Sequence, residues 1–296
     1  MNRMGIRIAD HTASLAILLV LASTFCFATM DAISKLLASD YSIAQILWMR
    51  YIFFAVFAFT IVRGHCRAAI LCRKPWLQAL RAMLLVAENG VFILAFQYLP
   101  LADVHAIAAT APLMVVVLSG FLLSEPVGNR RRLAVGVGFL GVLLIIRPGF
   151  QTLDWSVAIP LCGALMWAIY QILVRLCNRA DNSDTTLLWT AIIGLALTSA
   201  VGPLSWKPPD TVDWLLLVFL ALSGSLGHYA LIMALKFAEA STIQPYNYTL
   251  LVFAALWGIV LFNDVPDVAT VAGAAIIVAS GLYVWYREFK MSEMQL

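Results

Sequence analysis

Long apolar stretches alternate with short polar connections along nearly the whole chain. Each stretch is close to the ~20 residues that an α-helix needs to cross about 30 Å of hydrocarbon. Helices satisfy their own backbone hydrogen bonds, which a lipid interior requires. The pattern therefore predicts an all-α, polytopic membrane protein with ten transmembrane helices. The predicted spans are 14–37, 43–62, 76–97, 104–123, 132–147, 155–176, 185–202, 212–235, 243–262 and 268–287.

The composition agrees with a chain solvated by lipid. Of its 296 residues, 62% are hydrophobic and 12% are charged, and the mean hydropathy is +0.91. So few charges are not enough to cover the surface of a soluble globule of this size. The apolar run that follows Arg7 has no small-residue cleavage site after a short hydrophobic segment, which favours a retained first helix over a cleaved signal peptide.

Several classes of chemistry lack their sequence signals. The five cysteines show neither a CxxC pair nor metal-ligand spacing, so no disulfide framework and no metal site is predicted. A GxxxxGK[ST] loop is missing from the sequence, which argues against ATP as the direct energy source. Basic residues fall in short clusters between apolar runs, a pattern of membrane topology rather than of nucleic-acid binding. No cofactor is predicted.

Lysine and arginine are distributed unevenly between the two sides of the membrane. With the N-terminus inside, the cytoplasmic segments carry 14 of them and the opposite side carries only Arg147 and Lys207. Lys35, Arg50 and Arg81 lie within predicted spans. The positive-inside rule therefore predicts that both termini are cytoplasmic and that the number of spans is even.

The two halves of the chain resemble each other. Residues 96–125 align without a gap on residues 235–264, at an offset of 139 positions. Identity in this alignment is low, but each half contains five predicted spans. The sequence thus predicts two repeats, 1–150 and 151–296.

An odd number of spans in each repeat requires the second repeat to insert in the opposite sense. The loop after Glu125 contains three consecutive arginines, whereas its counterpart after Asp264 contains no lysine or arginine. Inverted repeats are typical of secondary transporters, with the binding site near the midplane between them. A duplicated helix bundle without a transport role is the alternative. Spans five and ten, which are rich in glycine and poor in polar groups, are predicted to form scaffold or a homodimer surface.

The segment Ala106–Gly149 places a proline within span four, a glutamate at its end and a glycine-rich fifth helix after it. With Lys35 and Arg50 in spans one and two, this sequence resembles the drug/metabolite transporter superfamily, specifically its ten-helix EamA-type members. The resemblance covers nearly the whole chain. Asp264 departs from the pattern, since the family usually has glutamate there.

The resemblance implies a carrier in the bacterial inner membrane, not an enzyme, with a small-molecule substrate. The preferred subgroup is the YddG-like amino-acid exporters, aromatic amino acids included, working by alternating access. Import or export of another metabolite or of a cationic drug (riboflavin-like, nucleoside-like or S-adenosylmethionine-like) is the alternative. A membrane-embedded lipid-modifying enzyme is disfavoured because the carboxylates are scattered, and a channel because no segment resembles a filter loop.

Ionisable side chains inside the spans are costly and therefore need a reason. Asp31 and Lys35 lie four residues apart, which suits either a local ion pair or a cavity wall. Arg50 cannot lose its proton and is expected to act as a structural anchor. Glu88 is expected to pair with Arg50 or to carry a proton in an apolar site.

Polar and aromatic side chains share faces of several predicted spans, which suits an amphipathic solute. Ordinary helix packing is the alternative for each of them, and packing also competes with a proton-relay role for the two histidines. The predicted cavity residues are Asp31, Lys35, Gln45, Trp48, Glu88, Asn89, His105, Trp167, Tyr170, Gln171, His228, Tyr246 and Asn247, with Arg50 and Glu125 as structural or ion-pair residues.

Overall fold

The computed structural model describes residues 3–122, 129–146, 155–178, 181–237 and 246–293. These residues form helices and short connections, with no β-strand among them. The helices are α1 (Arg3–Leu37), α2 (Ile43–Val62), α3 (Cys66–Ile70), α4 (Pro75–Tyr98), α5 (Leu101–Ala108), α6 (Ala111–Leu122), α7 (Asn129–Ile146), α8 (Ala158–Asn178), α9 (Ser183–Val201), α10 (Thr211–Phe237), α11 (Thr249–Phe262) and α12 (Val268–Glu293), with 3-10 turns at Trp155–Val157 and Gly202–Ser205.

Apolar helices occupy each of the ten predicted spans. Six segments are long and apolar enough to cross a membrane, and four shorter apolar segments lie in spans four, five, nine and ten. The predicted all-α polytopic fold is thereby confirmed. The long segments are Leu15–Leu37, Ile43–Val62, Pro75–Tyr98, Trp155–Val174, Ser183–Ser205 and Thr211–Leu231; the shorter ones are Leu101–Val115, Gly136–Ile145, Thr249–Phe262 and Val268–Tyr283.

Local sequence signals set several helix ends. The Ser42 hydroxyl accepts a hydrogen bond from the Gln45 N–H at 3.1 Å and so caps the start of α2. Pro75 stands at the start of α4, where its missing N–H costs nothing. Asn263 ends α11 in the left-handed conformation with φ 56°, which asparagine adopts more readily than most residues.

Span four is two helices and not the single helix predicted over 104–123. The chain turns at Ala109 and Thr110, between α5 and α6. The Thr110 hydroxyl donates to the Ile107 carbonyl oxygen at 2.7 Å, and the Thr110 N–H bonds the same carbonyl. Pro112 has no N–H to offer the carbonyl of Ala108. Proline and threonine together thus divide the span.

Span nine is divided in the same way. Residues 246–247 are helical, Tyr248 is a turn, and α11 begins at Thr249. The Thr249 hydroxyl donates to the Tyr246 carbonyl oxygen at 2.6 Å. Thr249 lies 139 positions after Thr110, which is the offset that aligns the two halves. The same threonine contact therefore interrupts the corresponding span of each half.

The extensive helix contacts join one half of the chain to the other. Helix α1 packs along α10 and α11, while α8 packs along α4 and α6. Helix α2 packs on α9, and α7 packs on α12. These pairs follow the equivalence of the two halves. When each span of one half is exchanged for its counterpart in the other, α1–α10 becomes α8–α4 and α1–α11 becomes α8–α6. The pairs α2–α9 and α7–α12 are unchanged by the exchange.

One end of the bundle, here called the first end, is held together by polar contacts between residues 40–45 and 205–213. The amide of Gln45 bonds the backbone of Lys207 twice, at 2.7 and 2.9 Å. The Tyr41 hydroxyl donates to the Asp213 carboxylate. This hydrogen bond raises the pKa of Tyr41 to about 12, with burial as a further cause. The phenol therefore keeps its proton, and this contact persists, at any physiological pH.

Helices α7 and α12 approach each other closely at glycines. A Cβ added to Gly141 would lie 2.7 Å from the carbonyl oxygen of Gly273 and 2.9 Å from the side chain of Ile277. A side chain could relieve such a clash by changing its rotamer, but a backbone oxygen can move only if the whole helix shifts. This contact supports the scaffold role predicted for spans five and ten. The homodimer surface remains a prediction.

We expect Gly141→Ala to lower the Tm of the purified protein in detergent. Overpacking of this kind typically costs about 1–3 kcal/mol. Gly136→Ala is the matched control, because it lies in the same helix and its Cβ would meet nothing within 4 Å. Alanine favours helix over glycine by about 1 kcal/mol, so the control should keep or raise the Tm. Equal Tm values for the two variants would contradict the close packing.

Candidate substrate site

Six ionisable or amide side chains from five helices gather near the middle of the bundle; we call them the central polar cluster. Four are at most 8% exposed, while Asp31 and His228 are half-buried. Few such groups occur in membrane interiors without a functional reason. The cluster comprises Asp31 of α1, Arg50 of α2, Glu88 and Asn89 of α4, His105 of α5 and His228 of α10.

Arg50 is the hub of this cluster. Its Nη1 donates to Asn89 Oδ1 at 2.7 Å, and its Nη2 lies 3.4 Å from His228 Nε2. The imidazole of His228 is wedged between Phe27 and Phe54, with ring centroids 4.9 and 5.9 Å away. The guanidinium thus ties α2 to α4 and α10, and it does so through neutral groups. The expected Arg50–Glu88 ion pair is not formed, because no Glu88 oxygen lies within 4.0 Å of Arg50.

Glu88 is 6% exposed and lies on the buried face of α4, three residues after Leu85. The charged groups that act on it electrostatically are Arg50 and Asp31. Its carboxyl group is therefore held close to both signs of charge without a direct ion pair. Such a group can exchange a proton or receive a cationic ligand without first breaking a salt bridge.

Asp31 and Lys35 do not form the local pair that their spacing suggested. Asp31 Oδ2 lies 3.4 Å from His105 Nε2. Lys35 Nζ instead donates to Asp264 Oδ2 at 2.8 Å and lies 4.6 Å from the centre of the Phe262 ring. Lys35 thus links α1 to the end of α11, where the two halves of the chain meet at the first end. The local-pair alternative was wrong because a partner distant in sequence outcompetes the neighbour on the same helix, and the cavity-wall alternative remains a prediction.

The aromatic candidates separate into two places. Trp167 and Tyr170 stack on α8, with centroids 5.2 Å apart and planes inclined by 22°. Trp48 lies elsewhere, at the first end, where its indole N–H donates to Ser199 Oγ at 3.0 Å and its ring meets Trp206 edge-on. Gln45, also at the first end, is fully buried. Trp48 and Gln45 are therefore part of the fastening of the first end and lie apart from the stacked pair.

The remaining candidates are spread along the bundle. Tyr246 packs against Ala16 and Val20 of α1, and Asn247 follows it as a helical residue just before the turn at Tyr248. Gln171 is half-buried on α8. Glu125 lies outside the described residues, so its expected ion pair remains a prediction.

Arg81 is a buried polar residue to which the sequence analysis assigned no role. It lies on α4 and is fully buried. Its guanidinium is 5.7 Å from the centre of the Tyr170 ring, which places it at the end of the stacked pair. The available signal was a lone arginine inside an apolar span, a residue that must find polar partners.

A ten-span helical bundle with charges of both signs buried between its halves defines a membrane transporter for small polar molecules. The chain belongs to the EamA-like transporter family, whose model matches residues 14–147 and again residues 154–286. It is accordingly a multi-pass membrane protein and a transporter rather than an enzyme.

Curated relatives in this family carry different substrates. The chain is 25% identical over 260 residues to an S-adenosylmethionine uptake transporter of Rickettsia prowazekii, covering 88% of each protein. It is 29% identical over 218 residues to a riboflavin transporter of Vibrio cholerae, covering 73% of each. A solved crystal structure superposes with a TM-score of 0.62 at 18% identity, covering 93% of this chain and 95% of that one, and this likeness supports the fold alone.

Proposed function

We propose that the protein is a secondary carrier for a zwitterionic metabolite of amino-acid type, moved by alternating access and coupled to protons through Glu88. S-adenosylmethionine is the first candidate substrate, and free aromatic amino acids are the second. The observation that carries the proposal is the central polar cluster, in which Arg50, Asp31 and Glu88 place both signs of charge in the membrane interior.

Charge pattern and aromatic surface favour this substrate class. An α-amino acid presents an ammonium and a carboxylate, and each needs an opposite charge when it leaves water. The stacked rings of Trp167 and Tyr170 offer a face for an aromatic or heterocyclic group. S-adenosylmethionine combines an amino-acid head, a sulfonium cation and an adenine ring, and cations also favour aromatic faces.

Alternating access is supported by the relation between the halves. The helix contacts map onto one another when the halves are exchanged, and Thr110 and Thr249 interrupt corresponding spans. We take the halves 1–150 and 151–296 as inverted repeats, with both termini on the cytoplasmic side of the bacterial inner membrane. The first end of the bundle then faces outward, and net direction follows the gradients of substrate and protons.

The test is transport by the purified protein in proteoliposomes. We expect saturable uptake of radiolabelled S-adenosylmethionine or tryptophan that is stimulated by an imposed pH gradient and inhibited by excess unlabelled substrate. Labelled riboflavin and a simple cation such as tetraphenylphosphonium serve as comparison solutes. Saturable flux of riboflavin and of no other solute would contradict the proposed substrate class. Unitary currents in a bilayer recording would contradict the carrier mechanism and indicate a channel.

A further inference from the structure

Arg81 is a fully buried cation that is solvated by neutral groups from three helices. Its Nε donates to Gln78 Oε1 at 3.2 Å. Its Nη2 donates to the Thr186 carbonyl oxygen at 2.9 Å and to Thr190 Oγ1 at 2.7 Å. Its Nη1 donates to the Tyr170 hydroxyl at 3.3 Å, the longest of the four bonds.

No carboxylate within the described ranges lies within 4.0 Å of this guanidinium. Asp181 is connected to it only through Gln78, whose Nε2 donates to Asp181 Oδ2 at 3.1 Å. Glu88 and Arg81 both act electrostatically on Tyr170, but the two side chains form no ion pair with each other. Arg81 keeps its charge at any physiological pH, and a buried charge without a counter-charge is strongly unfavourable. An anion arriving at Arg81 would therefore be bound tightly.

The bond to Tyr170 is the contact of the guanidinium that an anion would displace most easily. Arginine carries five N–H groups, and four are used in the bonds to Gln78, Tyr170, Thr186 and Thr190. The Cys177 thiol is a further neutral partner. A ligand oxygen that displaces the Tyr170 hydroxyl would replace the longest of these bonds with a charge-assisted one.

The surroundings of that position indicate what kind of molecule carries the anion. The Tyr170 ring lies beside the guanidinium at 5.7 Å, and the Trp167 ring continues the stack at 5.2 Å. Both side chains are half-buried, whereas Arg81 is fully buried. A cation followed by aromatic faces suits a carboxylate on a molecule that also has an aromatic ring.

We propose that Arg81 is the substrate's carboxylate-binding residue, reached past Tyr170, and that the central polar cluster receives the ammonium end. This inference rests on the proposed function and extends it by assigning the carboxylate to Arg81 and the ammonium, which is attached to the same carbon, to the acidic side of the central polar cluster; Arg81 and Glu88 both act electrostatically on Tyr170. It makes Arg81 a specificity-determining residue that selects amino acids over the corresponding amines.

The experiment compares two matched pairs of unlabelled competitors against labelled S-adenosylmethionine uptake in proteoliposomes. The pairs are S-adenosylmethionine with its decarboxylated analogue and tryptophan with tryptamine. We expect the wild-type protein to bind each carboxylated member at least tenfold more tightly. Arg81→Gln should weaken the carboxylated members to the level of the amines and leave the amines unchanged. Arg81→Lys should retain part of the preference, and Arg67→Gln, an exposed arginine, should retain all of it.

Each other outcome has a definite meaning. Equal weakening of acids and amines by Arg81→Gln would overturn the carboxylate site while leaving the proposed function intact. Saturable uptake of neither labelled S-adenosylmethionine nor labelled tryptophan by the wild type would overturn both. Should Arg81 variants fail to fold, Thr190→Val removes one neutral acceptor and retains the arginine. That variant should change the KM for S-adenosylmethionine several-fold and not that for the decarboxylated analogue; an unchanged ratio would count against the site.

Discussion

Replacing Arg50 by alanine should reduce the initial rate of uptake about a hundredfold or more. The guanidinium bonds Asn89 and lies against His228, joining three helices in the middle of the bundle. A hydrogen bond to a charged group contributes about 1.5–3 kcal/mol, so two such contacts account for a loss of this size. The substitution also removes the cation that acts electrostatically on Glu88. The measurement is labelled substrate uptake normalised to folded protein recovered from the vesicles.

The comparison variants separate charge from geometry. Arg50→Lys keeps the charge, but an ammonium cannot present the planar fork that reaches both partners; we expect an intermediate rate. Arg63→Ala removes an exposed arginine at the end of the same helix and should transport like the wild type. Uptake by Arg50→Ala within threefold of the wild-type rate would contradict the hub role.

Glu88→Gln should abolish accumulation driven by a pH gradient while preserving exchange of labelled for unlabelled substrate. Glutamine has nearly the same shape as glutamate but cannot bind and release a proton. The loss should therefore fall on the coupled step and not on substrate binding. We expect gradient-driven accumulation to drop to the equilibrium level and counterflow to stay within about tenfold of the wild-type rate, since one altered hydrogen bond corresponds to about 1 kcal/mol.

Asp40→Asn is the control for this substitution. Asp40 is an exposed carboxylate in the connection between α1 and α2, where loss of charge should affect neither process. A Glu88→Gln protein that still accumulates substrate in response to a pH gradient would remove the coupling role from this residue. A protein that loses exchange as well would make Glu88 part of the binding site instead.

The fold was predictable from sequence because the hydropathy of a segment indicates whether lipid or water surrounds it. A segment surrounded by lipid must satisfy its own backbone hydrogen bonds as a helix. Apolar helices occupy each of the ten predicted stretches, although stretches four and nine are interrupted. The interruption of span four was only partly predictable. A proline within a span indicates a kink or an end of the helix, but the position of the turn also depends on the hydroxyl of Thr110, and threonine inside a helix has no fixed consequence.

The candidate site was predictable in its residues and not in its contacts. Polar groups inside apolar spans stand out individually, so Asp31, Arg50, Glu88 and His105 were found. Their partners come from helices distant in sequence, which is why Lys35 was paired with the wrong acid. Arg81 received no role because its partners are hydroxyl, amide and carbonyl groups, which carry no charge signal.

Under the proposed alternating access, the paired interruptions at Thr110 and Thr249 make the chain a template for its own second conformation. Because the same turn occurs at equivalent positions, the backbone of each half can be rebuilt on the coordinates of the other. Under the proposed alternating access, the hybrid obtained by that exchange is the expected second conformer, in which access from the two sides of the membrane is interchanged. Distances between cysteine pairs placed at the two ends can be read from it beforehand, so cross-linking or spin-label measurements would compare the two conformers directly.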